Sequence, residues 1–482
     1  MLIASNTGHQ TNLFGTDLLQ QLDRNDPLLR LADAIPWCEL DLAFSRHYSQ
    51  GLGRPAKPIR LMVGLLMLKQ LENLSDEALV LQFKRNPYYQ AFCGLTEFSL
   101  KAPCDSTELV HFRNRIGPDG IDKIFQVSVR LHGKAAQEDT VNIDTTVQEK
   151  NITYPTDGKL AIKIINRLNK LAKAYSIQQR RTYGKEVKAL RLSLRHFRHV
   201  KRRAKAKRAL KRLRTIAHTL IRELRRTLPC YALFDRYQKD FLFYEQVLHQ
   251  QPKDHDKIYA LHEPDVYCIA KGKDHKPYEY GNKVSIAATA KTNIIVGVAS
   301  HERNLHDSKT LPDVLTHLES SRGKTARTAV CDRGYRGPKQ VGNTQIILPA
   351  PPLKKDNRYQ RDKKRKRCQR RAAIEPIIGH LKTDYRLARN FLKGTAGDLI
   401  NVLMAALAWN LNLWMRAFLW LIFDRSCHGL AFNRLQASVY RVYTLVFTKQ
   451  LILNENSRKR KKRRGLFQDR LFKIDILYSQ FR

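Results

Sequence analysis

The run Thr140-Val-Asn-Ile-Asp-Thr-Thr-Val147 has the β-branched alternation of a strand, and it sets a carboxylate, Asp144, in the middle of that strand. An acid on a strand of a central sheet is costly unless it is paired or faces a cation. The chain must therefore build a sheet around Asp144 and supply it with a partner. Sheet character returns only far downstream, at Val266-Tyr-Cys-Ile-Ala270, Lys283-Val-Ser-Ile-Ala-Ala-Thr289 and Ile294-Ile-Val-Gly-Val-Ala299. Lys291-Thr-Asn293 makes a hairpin turn between the last two. A helix near Ser308 to Ser321 follows. Next comes Thr328-Ala-Val-Cys-Asp332-Arg-Gly-Tyr-Arg336, a buried strand that delivers a second carboxylate into a glycine turn, and then a short strand, Gln345-Ile-Ile-Leu348.

The interval between the first strand and the rest has a different character. From Lys159 to Arg226 only two acids, Glu186 and Glu223, stand among many lysines and arginines, while Leu210, Leu213, Ile216, Leu220 and Leu224 keep helical spacing. This is a pair or trio of basic amphipathic helices inserted into the sheet. Such an excess of one sign needs a polyanionic partner. Arg202, Arg203, Lys207, Arg208, Lys211 and Arg212 are its candidate phosphate contacts. The whole chain of 482 residues carries a formal charge of +43. Nucleic acid is the partner such a field fits, with an anionic membrane surface as the competing reading.

A third acid stands in Arg371-x3-Glu375-x6-Lys382, where helical spacing frames a carboxylate with two cations, and Ile374, Ile377, Ile378 and Leu381 supply packing. Pro376 disfavours the α conformation at Glu375, so the helix is expected to start or kink there. Three acids in strand, strand, helix order inside a basic protein point to a shared divalent site. Oxygen ligands without nearby His or Cys favour Mg²⁺ or Mn²⁺ over zinc. Two ions can activate a hydroxyl and stabilise a leaving oxygen, with Arg371 and Lys382 holding phosphate. His306 and Asp307 read either as site residues or as a polar loop.

Residues 1–135 read as helical. Pro58 to Leu71 is a strong helix, Ser75 is a plausible N-cap for the next, Pro87 ends or bends that one, and another begins near Asp105-Ser106-Thr107 and carries Phe112, Arg113 and Arg115. This pattern fits either a helix-turn-helix, with Arg113 on DNA, or an ordinary bundle. Leu399 to Phe423 is apolar, but Asn401, Asn410, Asn412 and Arg416 interrupt it, which favours a buried or interface helix over a membrane span. The eight cysteines form no CxxC pair or zinc spacing, and the N-terminus does not read as a signal peptide. A basic cluster, Arg458 to Arg464, marks the C-terminal part.

Across about residues 30–425 the chain resembles the DDE transposases of bacterial insertion sequences, in the group whose type member is numbered five. The resemblance rests on Arg54-Pro-Ala-Lys-Pro-Ile-Arg60, Asn86 to Phe92, Asp144-Thr-Thr with Tyr154-Pro-Thr-Asp157, Asn304 to Ser308, Asp332 to Gly337 and Ile374 to Lys382. It implies an α/β RNase H-like mixed-sheet catalytic core (136–425) with a basic helical insertion (159–230). An all-α N-terminal DNA-binding domain (1–135) and a basic extension (426–482) flank that core. It also implies catalytic, metal-binding roles for Asp144, Asp332 and Glu375, two Mg²⁺ or Mn²⁺ ions, and cleavage at transposon ends followed by 3′-hydroxyl attack on target DNA. The family's Tyr-x2-Arg-x3-Glu-x6-Lys signature is met except at its tyrosine, where this chain has Cys368. The expected partners are double-stranded DNA, as terminal inverted repeats and target, and further copies of the chain on that DNA. The expected location is the bacterial cytoplasm, on the nucleoid and not in a membrane. A nuclease of the same fold without strand transfer, and an inactive DNA-binding remnant of an element, are the rival readings.

Overall fold

A computed structural model describes residues 17–49, 55–197, 199–228, 231–251, 254–270 and 277–427. Residues Met1–Arg416 form one compact unit. Cys230, the cluster at 458–464 and nearly all of the expected 426–482 extension lie outside the described residues.

Seven helices precede the first strand among the described residues: α1 (Leu18–Gln21), α2 (Pro27–Ala34), α3 (Trp37–Ser45), α4 (Ile59–Leu71), α5 (Asp76–Phe83), α6 (Pro87–Phe92) and α7 (Ser106–Arg130). Their ends follow local chemistry. Ser75 accepts a hydrogen bond from Ala78 N (3.1 Å), and Asp105 and Glu108 close a capping box at the start of α7. Gly117, at φ +63°, and Pro118 kink α7 in its middle. α4 is buried on nearly all sides, which its run of Leu, Met, Val and Ile requires.

The sheet contains β1 (Thr140–Lys150), β2 (Tyr267–Ala270), β3 (Tyr278–Thr289), β4 (Ile295–His301), β5 (Thr328–Val330), β6 (Gln340–Val341), β7 (Thr344–Ile347) and β8 (Arg389–Asn390). Its order is β2-β3-β1-β5-β7-β6, with β4 also on β3 and β8 also on β1. β1, β3 and β4 pair antiparallel, whereas β5 runs parallel to β1 and β7 parallel to β5. The expected hairpin lies between β3 and β4, with Asn293 at φ +59° in its turn.

Between β1 and β2 the chain forms α8 (Asp157–Ala174), α9 (Gly184–Leu194), α10 (Arg203–Thr227) and α11 (Tyr231–His249). These helices bury a core of their own, including Leu160, Ile164, Leu168, Leu213, Ile216, Leu220 and Phe241. The sequence boundary at residue 135 does not separate two cores. One continuous cluster joins Leu31, Phe44, Leu66, Phe112 and Phe125 of the N-terminal helices to Val141, Ile143 and Ile286 of the sheet.

After the sheet's central strands come α12 (Leu311–Arg322), α13 (Arg358–Ala372), α14 (Ile374–Thr383) and α15 (Gly394–Cys427). α15 is long and apolar enough to cross a membrane by composition alone, yet Val402, Leu403, Ala405 to Ala408 and Leu411 are buried in the main core. Its asparagines explain the choice. Asn410 exchanges hydrogen bonds with the backbone of Ile295 (2.8 and 2.9 Å), and Asn401 donates to Gln148 (2.8 Å).

Candidate active site

β1 has two unlike faces, as strand alternation requires. Val141, Ile143 and Val147 enter hydrophobic packing, while Asn142, Asp144, Thr146, Gln148 and Lys150 form a polar row on the other face. The far end of that row is locked. Buried Lys150 pairs with Asp398 (2.7 Å) and Glu263 (3.2 Å), and Asn282, Asn390 and Gln148 also donate to Asp398. This network ties β1 to the first turns of α15.

On β1, β5 pairs only with Thr140–Asn142, and β8 only with Glu149 and Lys150. The edge of β1 between them, which includes Asp144, has no strand partner among the described residues. Asp332 leaves β5 at the start of this gap. Its carboxylate accepts from Gly334 N (2.6 Å) and caps a tight turn, Arg333–Tyr335. A side chain at Gly334 would begin 2.9 Å from both Asp332 Oδ1 and Asp307 Oδ2, so two carboxylates crowd the same point and any larger residue there would have to displace them.

Glu375 occupies the first turn of α14, which is anchored by buried Ile374, Ile377 and Leu381 and packs against β1. Pro376 does not keep Glu375 out of the helix: α14 starts at Ile374, and the interruption that separates it from α13 falls at Ala373, whose φ of −63° and ψ of −22° are themselves helical. The break does not separate the charged pair. Arg371 Nη2 lies 2.9 Å from Glu375 Oε1, and Arg371 Nη1 lies 3.8 Å from Asp332 Oδ2. Lys382 is half-buried at the far end of α14.

The charge on Asp144 is set by burial and by its neighbours. Burial pushes the Asp144 carboxyl up to about 6, against the Thr145 N–H that donates to it at 2.8 Å. Asp332 and Glu375 raise it further, and Arg371 lowers it. The same burial, with Asp144 and Asp332 beside it, pushes the Cys331 thiol up to about 12. Carboxylate oxygens alone are the donor set of a hard divalent cation, and the repulsion on Asp144 is what such a cation would relieve. The acids are not closed around one point: among the described residues no three His, Cys, Asp or Glu side chains are set for common coordination. Arg371 supplies the positive charge between two of them.

Asp307 belongs to this place, and His306 does not. Asp307 Oδ1 accepts from Thr145 Oγ1 (3.0 Å) and from Lys283 Nζ (3.0 Å), which fixes a fourth acid beside Asp332. His306 caps the following turn through Ser308. Sequence reading could not choose between these roles, because the partners that place Asp307 come from β1 and β3.

Arg113 has to be withdrawn as a DNA contact. It is 5% exposed, and its guanidinium makes a bidentate pair with Asp76 (2.9 and 3.0 Å) that joins α7 to α5. The exposed face of this part of α7 carries Val110, His111, Asn114 and Arg115 instead. In the insertion, Arg202, Arg203, Lys207, Arg208, Lys211 and Arg212 are all exposed, with Arg212 also paired to Glu186 (2.7 Å). Cys368 is half-buried on α13, with its sulfur 3.7 Å from Ala350 O.

Two family models match this chain: a transposase domain of the DUF772 type over residues 16–115, and a transposase DDE domain over residues 249–411. The second match contains Asp332 and Glu375; Asp144 precedes it, on the other side of the insertion. An uncharacterized protein, ORF8 in the nfe locus of Rhizobium meliloti, is 39% identical over 197 residues, which is 40% of this chain and 95% of that protein. The chain belongs to the DDE transposases of insertion sequences. It is therefore a DNA-acting enzyme whose family catalyses cleavage and strand transfer with divalent metal. No solved structure matches this transposase.

Proposed function

We propose that Asp144, Asp332 and Glu375 are the catalytic acids of this transposase, on an RNase H-like sheet formed by β4-β3-β1-β5-β7. The observation that carries this reading is the placing of the three acids and Arg371 beside the unpaired edge of β1, where burial first, and then both other acids, raise the Asp144 carboxyl. Mg²⁺ or Mn²⁺, as two ions held by these carboxylates, would supply Lewis-acid charge to the phosphodiester and acidify the attacking water or 3′-hydroxyl. Arg371 and Lys382 then bind the nonbridging oxygens on which negative charge builds during in-line attack. Gly334 keeps the approach open, and the Lys150–Asp398 network holds β1 at a fixed register beneath the site.

DNA is gripped in two places in this reading. The N-terminal helices bind the terminal inverted repeats, with Val110, His111, Asn114 and Arg115 as the reading face in place of Arg113. The exposed cations of α10 hold phosphates of any sequence. Two ends must be brought together before joining, so the protein acts as a homo-oligomer on DNA, in the cytoplasm on the bacterial nucleoid. The test is a supercoiled plasmid carrying both element ends, incubated with the full chain and Mg²⁺. Joined 3′ ends at new target positions are expected; nicks and breaks without joining would make the protein a nuclease.

A further inference from the structure

Beyond the three acids, the polar face of β1 opens into a second space. A cleft of about 310 Å³ lies elsewhere, beside Arg130 and Arg322, but the one next to the site is larger, about 530 Å³. Its floor is a single row across three strands. Asn142 of β1 is in register with Val330 of β5, and Val330 with Ile347 of β7. Arg367 and Arg370, one turn apart on α13, also line it, as do Glu138, Asp139 and Lys291. Asn142 lies two residues before Asp144 on the same strand face, a separation of about 7 Å.

Asn142 is not a satisfied core residue. It is 1% exposed, and its Nδ2 donates to Arg370 O at 3.0 Å, but its Oδ1 has no hydrogen-bond partner among the described residues. A buried acceptor left open is costly, so its persistence in a residue that lines the cleft calls for a donor from outside.

We propose that this cleft binds one unpaired nucleotide of the DNA strand, next to the phosphate at the catalytic acids. The two arginines take its phosphate. The β-branched side chains of Val330 and Ile347 meet the face of the base. Asn142 Oδ1 accepts from an amino group on the base edge, which cytosine and adenine carry and thymine lacks. The proposal rests on the transposase reading and gives its active site a base preference.

The test compares the full chain, without divalent metal, on three single-stranded probes of equal length: oligo-dC, oligo-dT and oligo-dC methylated twice at each N4. Fluorescence anisotropy at fixed salt is expected to show roughly five- to tenfold tighter binding of oligo-dC than of either other probe, the worth of one such hydrogen bond. Asn142→Leu should abolish that ratio while leaving the dependence on salt unchanged. Because Asn142 is buried, the exposed double variant Arg367→Ala/Arg370→Ala provides a second check that spares the core: it should weaken binding of all three probes alike and lower the dependence on salt, while the ratio remains. Equal binding of the three probes by the wild type, a ratio that survives in a folded Asn142→Leu, or a double variant that binds all three probes as tightly as the wild type overturns the proposal. Loss of all DNA binding by the wild type would instead contradict the transposase reading.

Discussion

Arg371 and Glu375 form an ion pair at 2.9 Å across the break between α13 and α14, and the other arm of the same guanidinium reaches toward Asp332 at 3.8 Å. One cation thus neutralises two of the three acids. In the proposed reading it would compete with metal for the same oxygens and leave them for the phosphate of bound DNA. Arg371→Ala is expected to bind Mg²⁺ about fivefold more tightly by calorimetry, since an exposed pair is worth about 1 kcal/mol or less. The same variant should cleave DNA at least tenfold more slowly, for want of a phosphate ligand. Weaker metal binding in the variant would mean that Arg371 organises the acids and does not compete for them.

The raised Asp144 carboxyl makes a statement about stability. Its folded-state value of about 6 exceeds the ordinary 3.8, so the folded protein keeps a proton that the unfolded chain releases. The stabilising contribution is full below about pH 4 and is lost as pH rises through about 6. Above that window the ionised group costs on the order of 1–3 kcal/mol. Asp144→Asn should therefore stabilise the metal-free protein in urea by about that amount at pH 7.5, and the gain should vanish near pH 4. Added Mg²⁺ should narrow the gap by stabilising the wild type alone.

Asp76 is the counter-ion of a buried cation. Burial opposes its charge, yet the carboxyl lies below the usual range because Arg113 and Lys69 donate to it. Burial, and then Arg113, push the Lys69 ammonium down to about 8. Asp76→Ala would leave Arg113 charged and unpaired, at a cost of about 3–5 kcal/mol. Urea titration of the full chain checks this. A loss under 1 kcal/mol would place water, not protein, around Arg113.

The insertion makes a separate demand. Replacing Lys207, Arg208 and Lys211 with glutamine should weaken binding to related and unrelated duplexes alike. Each lost phosphate contact should also reduce the slope of log affinity against log salt by about 0.9. Selective loss of binding to element ends would make α10 a reader of sequence.

Local signals were legible before the fold was known. The strand through Asp144, the cap at Ser75 and the hairpin at Lys291–Asn293 all depend on neighbours along the chain, and each is present. The roles of Arg113 and Asp307 were not legible, because they are set from a distance. Arg113 finds its acid 37 residues earlier, and Asp307 finds Thr145 162 residues earlier. A surface cation and a buried one look alike until the partner is known. The open acceptor on Asn142 was hidden for the same reason, since its emptiness depends on where α13 passes over β1. The contact of Leu66 and Phe125 with the cluster that holds Ile143 was likewise out of reach of the sequence, because it joins residues far apart along the chain.

The central claim concerns the acid that follows β5. Asp332→Ala should be assayed with the full chain, a duplex bearing an element end, and Mg²⁺. Cleavage is expected to fall below detection while affinity for the same duplex, measured without metal, stays within about twofold of wild type. Cleavage at the wild-type rate in Asp332→Ala would contradict the assignment of Asp144, Asp332 and Glu375 as the catalytic acids.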